Sequence, residues 1–455
     1  MPYPGEKASK GGHSDLVKNP DVAAFLKSCE YLRAPSEGEA NAIAKSFLSA
    51  PVSGLLPDMT IASDASPYSE PIDGLFPSTQ VGYVKASLLL IDMSRYSGLT
   101  EPGSRFVNPL KVAALHRNAD AFSFALPGSN IRYKGAKTVQ DGFRLAVWEQ
   151  LSDERTRLSK DPSFTVRGTL LSLSEGSVKI AKCPACSAGP APGETSKFIF
   201  TDGNEVQNCP DCSAEVYLTD SLRIHEQITD YGDCTSAITR FMNAIEHLIL
   251  ATMVRMLAHY QPKTLSNIAF MVDGPLAIFG QPASLSFSLT SFYYKIFNQL
   301  AEKGYQPPLI IGLQKNGLVM EHAKMIEPYL PENSYRVVDD VYRNEHISSV
   351  NNSNFGYETY FGQDFIFKTK AGRIFVMALP YPFPFKKSTK DFSEKKSDVA
   401  SYGNNLARAF DVIRYFQLDL YENAVVPIAL AHRHASISLV PGGKVLDLVT
   451  RNGLG

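Results

Sequence analysis

Two apolar segments separated by a helical pattern constrain the fold of this chain more than any other feature. Residues 267–273 (NIAFMVD) and 308–315 (PLIIGLQK) are each apolar enough to be strands buried on both faces. Between them, residues 288–303 have helical spacing and stop at Gly304. A strand, a helix and a strand in this order form a right-handed crossover with parallel strands. The sequence therefore predicts an α/β fold.

Hairpins are predicted on both sides of this crossover, so the sheet should be mixed and flanked by helices. Residues 59–64 form a short apolar strand that ends on Asp64, and residues 82–93 form its partner strand. Residues 365–379, with a KAGR turn, form a second hairpin. The remaining patterns predict helices at 234–260, 402–420 and 425–434, strands at 166–180 and 435–440, and a charged loop at 386–396.

Composition and charge exclude several classes of protein. The 455 residues are 44% hydrophobic, which suffices for a large core and excludes a disordered or collagen-like chain. The 45 basic and 46 acidic residues give a net charge of -1, so nucleic-acid binding would need a local groove or metal ions. The longest strongly apolar run, 248–257, is about half the length that a bilayer requires. With no signal-peptide pattern at the N-terminus, we expect a soluble cytoplasmic protein that does not enter a membrane.

Four of the six cysteines form two CxxC pairs that are separated by 22 residues. Four thiolates on two knuckles suit a tetrahedral structural Zn²⁺ with no open position, although a redox pair or an iron–sulfur site would use the same residues. The ligands would be Cys183, Cys186, Cys209 and Cys212. The predicted organisation is an N-terminal helical segment (1–50), the first part of the core (51–180), a zinc-ribbon insertion (181–215) and the second part of the core (216–455).

Acidic residues end two of the predicted strands, and a third acid lies in an apolar helix. Asp273 ends a buried parallel strand, where open α/β sheets bind their ligands. Asp64 ends the strand at 59–64, although aspartate before Ser-Pro is also common in turns and caps. Glu246 lies in the centre of the apolar stripe of the helix at 234–260. A carboxylate there is costly unless it binds a cation, is protonated or pairs with an arginine such as Arg240.

Two basic residues could complement these acids. His432, in the segment LAHRH, could add an imidazole ligand that favours manganese over magnesium, or it could be a surface or capping histidine. Lys315, at the end of its strand, could hold a phosphate or be simply solvated. Clustered carboxylates bind one or two divalent cations through hard oxygen ligands. The chain has no Walker motif, so ATP hydrolysis by that route is excluded.

Taken in order, these residues resemble the motifs of the NurA nuclease family. The family's first motif usually has glycine where this chain has Ala65, and a tyrosine precedes the proline where this chain has Val426. The match spans about residues 60 to 440. Its segments are Asp64-Ala65-Ser66, Arg240 with Glu246, Asp273-Gly274-Pro275-Leu276, Ile311-Gly312-Leu313-Gln314-Lys315 and Ala431-His432.

The resemblance implies a metal-dependent deoxyribonuclease with an RNase H-like core, which would hydrolyse DNA ends and single strands in end processing or defence. It also implies Mn²⁺ or Mg²⁺ as cofactor, a homodimer and a HerA-type hexameric ATPase as partner. Asp64, Glu246, Asp273 and His432 would bind the catalytic metal, with Lys315 holding the phosphate. The alternative is a non-catalytic zinc-ribbon adaptor with a degenerate nuclease fold. A structural zinc protein without DNA contacts would leave the buried Glu246 unexplained.

Overall fold

The structure of the protein is a computed structural model that describes residues 14, 17–29, 33–72, 77–97, 119–230, 232, 234–348, 354–417, 425–437 and 450. The strands are β1 (Leu48–Ser49), β2 (Met59–Pro71), β3 (Gln80–Asp92), β4 (Ala119–Pro127), β5 (Val178–Ile180), β6 (Phe198–Phe200), β7 (Val206–Asn208), β8 (Glu215–Tyr217), β9 (Ile268–Asp273), β10 (Leu309–Gln314), β11 (Ser334–Val337), β12 (Gly362–Lys368) and β13 (Ile374–Pro380).

The α-helices are α1 (Pro20–Ser28), α2 (Glu37–Ala44), α3 (Met93–Ser97), α4 (Val139–Ser152), α5 (Val166–Leu173), α6 (Thr235–Tyr260), α7 (Pro262–Leu265), α8 (Leu285–Glu302), α9 (Leu318–Ile326), α10 (Asp340–His346), α11 (Thr389–Ser397), α12 (Asn404–Phe416) and α13 (Val426–Ala435). Short 3₁₀ helices lie at Tyr133–Gly135, Glu154–Thr156, Leu218–Leu222, Ile224–Gln227, Gln281–Ser284, Glu327–Tyr329 and Val399–Tyr402.

Nine strands form one mixed sheet in the described part of the chain, in the order β1-β11-β12-β13-β10-β9-β2-β3-β4. Strands β2, β3 and β4 form an antiparallel meander, and β9 and β10 run parallel to β2 on its other side. The first long strand, β2, therefore lies between the antiparallel meander and the parallel strands. Strands β13, β12, β11 and β1 extend the sheet beyond β10 with antiparallel pairing. The prediction of a mixed sheet flanked by helices is confirmed.

Helices cover both faces of this sheet, and strand alternation assigns each side chain to one face. In β2, Ile61 packs in the apolar cluster that contains α6, whereas Ala62 packs in the cluster that contains α12 and α13. In β9, Val272 joins the first cluster and Met271 joins the second. Because successive side chains of a strand point to opposite faces, the faces on which Asp64 and Asp273 lie follow from these neighbours.

Helix α6 begins and ends within one residue of the prediction, and it forms the centre of one helical layer. By length and composition alone it could cross a membrane, but 61% of its apolar window is buried inside the protein. Ile245, Leu248 and Ile249 of this helix belong to the large apolar cluster beneath β2 and β3. Its hydrophobicity is therefore accounted for by contacts within the fold.

The predicted strand at 166–180 is wrong for its first half, which is helix α5. The side chain of Thr165 caps this helix by accepting a hydrogen bond from the Gly168 N–H. The Thr169 hydroxyl lies 2.8 Å from that of Thr252 on α6, so the helix is fixed against the core. Capping and packing therefore override the alternation of apolar residues.

The predicted charged loop at 386–396 is wrong, because most of it is helix α11. Ser388 caps this helix, and Lys396 is buried beside Asp340 with an N–O distance of 2.5 Å. Of the predicted strand at 435–440, Ala435 ends α13, and 438–440 lie outside the described residues. The last part of the predicted helix at 402–420 also lies outside them.

Candidate functional site

Asp64 and Asp273 lie side by side on adjacent parallel strands. The pairing of β2 with β9 extends to the residues just before these aspartates, so both lie at the same level of the sheet. Both continue the alternation of Ala62 and Met271, whose side chains pack toward α13. The end of β9 therefore places Asp273 beside Asp64 on one face of the sheet. The prediction that Asp64 ends its strand is wrong, because β2 continues to Pro71 in pairing with β3.

Two glycines allow the turn after Asp273 to fold closely against β10. Gly274 has φ 111°, and its N–H donates to the Leu313 carbonyl oxygen at 2.8 Å. A Cβ atom on Gly312 would lie 2.7 Å from the Gly274 carbonyl oxygen, which is too close for any other residue. The sequence argument included Gly312 in a motif but missed this role. This close approach holds the end of β10, and thus Lys315, next to Asp273.

A lysine and a histidine complete the cluster around the two aspartates. Lys315 Nζ donates to Asp273 Oδ2 at 2.6 Å, and His432 Nδ1 lies 3.1 Å from Asp64 Oδ2. One ligand atom each from Asp64, Asp273 and His432 lies within 4.8 Å of the others. Helix α13, which carries His432, is tied to β3 because Ser87 Oγ donates to its backbone at 3.0 Å. The His432 side chain is 53% exposed, so the cluster opens to solvent on this side.

Glu246 is a third carboxyl group near this cluster. It lies on α6, is 6% exposed, and is not one of the three groups whose ligand atoms lie within 4.8 Å. Its Oε1 atom has no hydrogen-bond partner among the described residues, and no ion pair with Arg240 is present there. Its electrostatic neighbours are instead Asp64, Asp273 and Lys315. The carboxyl is therefore buried near the aspartates without an arginine to neutralise it.

The three carboxyl groups disfavour one another's ionisation. Burial raises the pKa of Asp64 to about 8, and the Asp273 carboxylate adds to the shift, whereas Lys315 opposes it. Burial, followed by the charges of Asp64 and Asp273, also raises the pKa of Glu246 well above its ordinary value. A divalent cation would relieve this repulsion. Two carboxylates and an imidazole form a donor set that suits Mn²⁺ and also accepts Mg²⁺.

Asp64→Asn should stabilise the metal-free protein at neutral pH. The pKa of Asp64 is about 8 in the folded protein, against an ordinary value of 3.8. Between these pH values Asp64 ionises mainly in the unfolded chain, so the free energy of unfolding falls as the pH rises. The amide removes this cost, with an expected gain of about 2–4 kcal/mol at pH 7. Thermal unfolding in chelator between pH 5 and 8 measures it. Asp58→Asn, an exposed position just before the same strand, is the control. Equal melting temperatures of Asp64→Asn and wild type throughout this range would contradict the prediction.

The four paired cysteines form a second cluster. The Sγ atoms of Cys183 and Cys212 are 3.8 Å apart, as are those of Cys186 and Cys209, and all four lie within 4.8 Å. A tetrahedral zinc ion with Zn–S bonds of about 2.3 Å places neighbouring sulfurs about 3.8 Å apart. The donor set and its spacing therefore fit structural zinc.

Both CxxC motifs fold in the same way, because the sequence Cys-Pro-x-Cys-Ser-Ala occurs twice. Ser187 and Ser213 take the same position in their motifs, with φ 60° and 61°. In the second motif, burial opposes ionisation of Cys209, yet the backbone N–H groups of Cys212 and Asp211 lower its pKa to about 7. Backbone donors thus favour the thiolate of Cys209, whereas burial outweighs the equivalent donors in the first motif and raises the pKa of Cys183.

The cysteine segment is packed into the core. Cys183 and Cys209 belong to the same apolar cluster as helix α6. Arg144 of α4 forms a buried ion pair with Asp220 at 2.7 Å and donates to the Glu215 carbonyl oxygen at 2.6 Å. These contacts join the end of the cysteine segment to the core helices, so their stabilities should be coupled.

Comparison with known proteins gives a distant structural likeness and no likeness in sequence. No protein family and no curated protein matches the chain by sequence. Among solved structures, the crystal structure of the NurA nuclease from Sulfolobus solfataricus aligns with 98% of this chain and 97% of its own. The sequence identity is 8% and the TM-score is 0.32. A likeness this distant establishes neither family nor function, which must be argued from the two clusters.

Proposed function

We propose that the protein is a metal-dependent deoxyribonuclease that hydrolyses phosphodiester bonds. The observation that carries the proposal is the grouping of Asp64, Asp273 and His432 within 4.8 Å, beside Lys315 and the buried Glu246. Two adjacent carboxyl groups, with a third buried near them, lower the stability of the fold, and a function can explain why they are present. A purely structural zinc protein would need the cysteines but not this second cluster.

The residues around the aspartates would have different roles in phosphodiester hydrolysis. Asp64, Asp273 and His432 would hold a divalent cation, which when bound neutralises the phosphodiester and makes water more acidic. Lys315, now paired with Asp273, would bind a non-bridging phosphate oxygen. Glu246, whose Oε1 atom has no hydrogen-bond partner among the described residues, would complete this metal site. The substrate would enter beside His432, where the cluster is open to solvent.

A nuclease assay tests this function directly. The purified full-length chain should cleave single-stranded DNA and DNA ends with Mn²⁺, more slowly with Mg²⁺, and not at all with excess chelator. Addition of Mn²⁺ should also raise the melting temperature, because binding to the folded state alone stabilises it. If the protein binds zinc and DNA but cleaves nothing in excess Mn²⁺, the function is that of a non-catalytic adaptor.

The proposal also includes a partner protein and a homodimer. With a net charge of -1 the chain has little long-range attraction for DNA, so a ring ATPase of the HerA type would deliver the substrate. A homodimer with twofold symmetry would present two sites to the two strands of one duplex. Cleavage of duplex should increase at least about tenfold when such a motor and ATP are added. Sedimentation tests the dimer, and a monomer that degrades duplex rapidly without any motor would contradict the prediction.

A further inference from the structure

A cavity of about 460 Å³ lies at the edge of the sheet opposite the aspartates. It is bounded by α8, the start of β10, the end of β13 and the start of α12. Lys315 follows the other end of β10, six residues from Leu309, which places the cavity about 20 Å away along the strand. The volume is within the range of sites for small ligands, about 300–1,000 Å³. No step of the proposed cleavage uses it.

Arg408, which lines this cavity, differs from the other buried arginines. Arg144, Arg343 and Arg408 are 3%, 5% and 4% exposed. Arg144 pairs with a carboxylate at 2.7 Å and Arg343 with one at 2.9 Å. No carboxylate lies within ion-pair distance of Arg408 in the described ranges, and its partners are neutral oxygens, the nearest at 2.7 Å. The Nε atoms of Arg408 and Arg343 both have no hydrogen-bond partner there, so the difference lies in the missing carboxylate.

The positive charge of Arg408 cannot be removed by loss of a proton. Burial lowers the pKa of Lys386 to about 7, so a buried lysine of this chain can become neutral near physiological pH. A guanidinium remains charged in proteins. Because a buried charge is costly unless an opposite charge is near, an anion in the adjoining cavity would lower the free energy of the folded protein.

The first turn of helix α12 adds to the positive potential beside Arg408. Gly403 precedes this 13-residue helix, and no side chain caps its first turn. The N–H groups of such a turn and the helix dipole favour an anion. The turn therefore supports the argument from Arg408 and the cavity.

The rest of the lining is suited to a flat ring. Its aromatic and proline side chains offer flat apolar faces, and its amide side chains offer both donors and acceptors, as the edge of a nucleobase requires. The aromatic and proline residues of the lining include Tyr294, Phe297, Pro308, Pro382 and Tyr402. We propose that the cavity binds a nucleoside monophosphate, with its phosphate at Arg408 and its base against the aromatic and proline side chains.

Calorimetry with the full-length protein in chelator tests this site apart from the metal centre. Deoxyadenosine 5′-monophosphate should bind at least about tenfold more tightly than deoxyadenosine or inorganic phosphate, since it uses both halves of the cavity. Asp64→Asn should bind it unchanged. Failure of the nuclease assay would leave this result unaffected, because the inference does not rest on the proposed function.

Two variants locate the binding. Phe297→Ala should weaken binding of the monophosphate at least about tenfold, whereas Tyr329→Ala, a partly exposed aromatic elsewhere, should not change it. Arg408→Met, if its melting temperature shows a folded protein, should bind monophosphate and nucleoside equally. The proposal is overturned if wild type does not bind at millimolar monophosphate, or if it binds nucleoside and monophosphate with equal affinity. It is also overturned if Asp64→Asn loses binding whereas Phe297→Ala keeps the full affinity.

Discussion

Asp273→Asn should abolish cation-dependent cleavage of DNA while leaving the fold intact. Asp273 offers a ligand atom within 4.8 Å of those of Asp64 and His432, and it also pairs with Lys315 at 2.6 Å. Loss of this carboxylate should weaken cation binding and remove the ion pair that positions Lys315. Such groups provide several kcal/mol of transition-state stabilisation, so we expect a rate at least about a thousandfold lower. Initial rates on labelled single-stranded DNA with Mn²⁺ measure the effect.

The control for this variant is Asp58→Asn, which removes an exposed aspartate beside the start of β2 and should keep the full rate. Thermal unfolding with and without Mn²⁺ separates catalysis from binding, because Asp273→Asn should lose most of the stabilisation by Mn²⁺. Glu246→Gln should also lower the rate, since it replaces the buried carboxyl near both aspartates. Full activity of Asp273→Asn would contradict the proposal that this cation site takes part in cleavage.

The second large effect is expected at the cysteines. Combined Cys186→Ser and Cys212→Ser changes, which remove two exposed ligands, should reduce bound zinc from about one equivalent per chain to almost none. The melting temperature should fall by at least about 10 °C, because the other two cysteines lie in the main apolar cluster. Elemental analysis and thermal unfolding measure the two quantities.

Cys29→Ser, at an exposed cysteine outside both CxxC motifs, is the matched control and should change neither zinc content nor melting temperature. Removal of zinc from the wild type by a strong chelator should produce the same fall in melting temperature as the double variant. If the double variant loses zinc but melts at the wild-type temperature, the cysteine segment and the core are not coupled.

Local sequence patterns were sufficient to predict the central strands and helix of the fold. The crossover from β9 through α8 to β10, and the hairpin of β12 and β13, were predicted because long apolar runs and turn residues agree there. The same pattern placed Asp273 at the end of β9. Asp64 instead lies within the longer strand β2, where its pairing with β9 stops. The grouping of these aspartates with His432 in the structure follows from the packing of α13, and the metal-binding roles of all three remain predictions.

Contacts between distant segments account for what the sequence did not provide. The close approach of Gly312 to Gly274 depends on the pairing of β9 with β10, which no local pattern specifies. The wheel of helix α6 correctly buried Glu246, but it could not show that the charges acting on this residue are those of Asp64, Asp273 and Lys315. Helix α5 was missed because its capping threonine and its contact with Thr252 act against a strand-like pattern.

The contact between Asp64 and His432 has a consequence for the order of folding during synthesis. The two residues are 368 positions apart in the chain. A nascent chain could pair β2 with β9 once residue 273 has left the ribosome, but its two aspartates would still lack the imidazole. Closure of so long a loop is late and costly in entropy, so α13 should dock last. If the proposed nuclease activity is correct, an unfinished chain is harmless to nearby DNA until residues 426–435 have been made and packed.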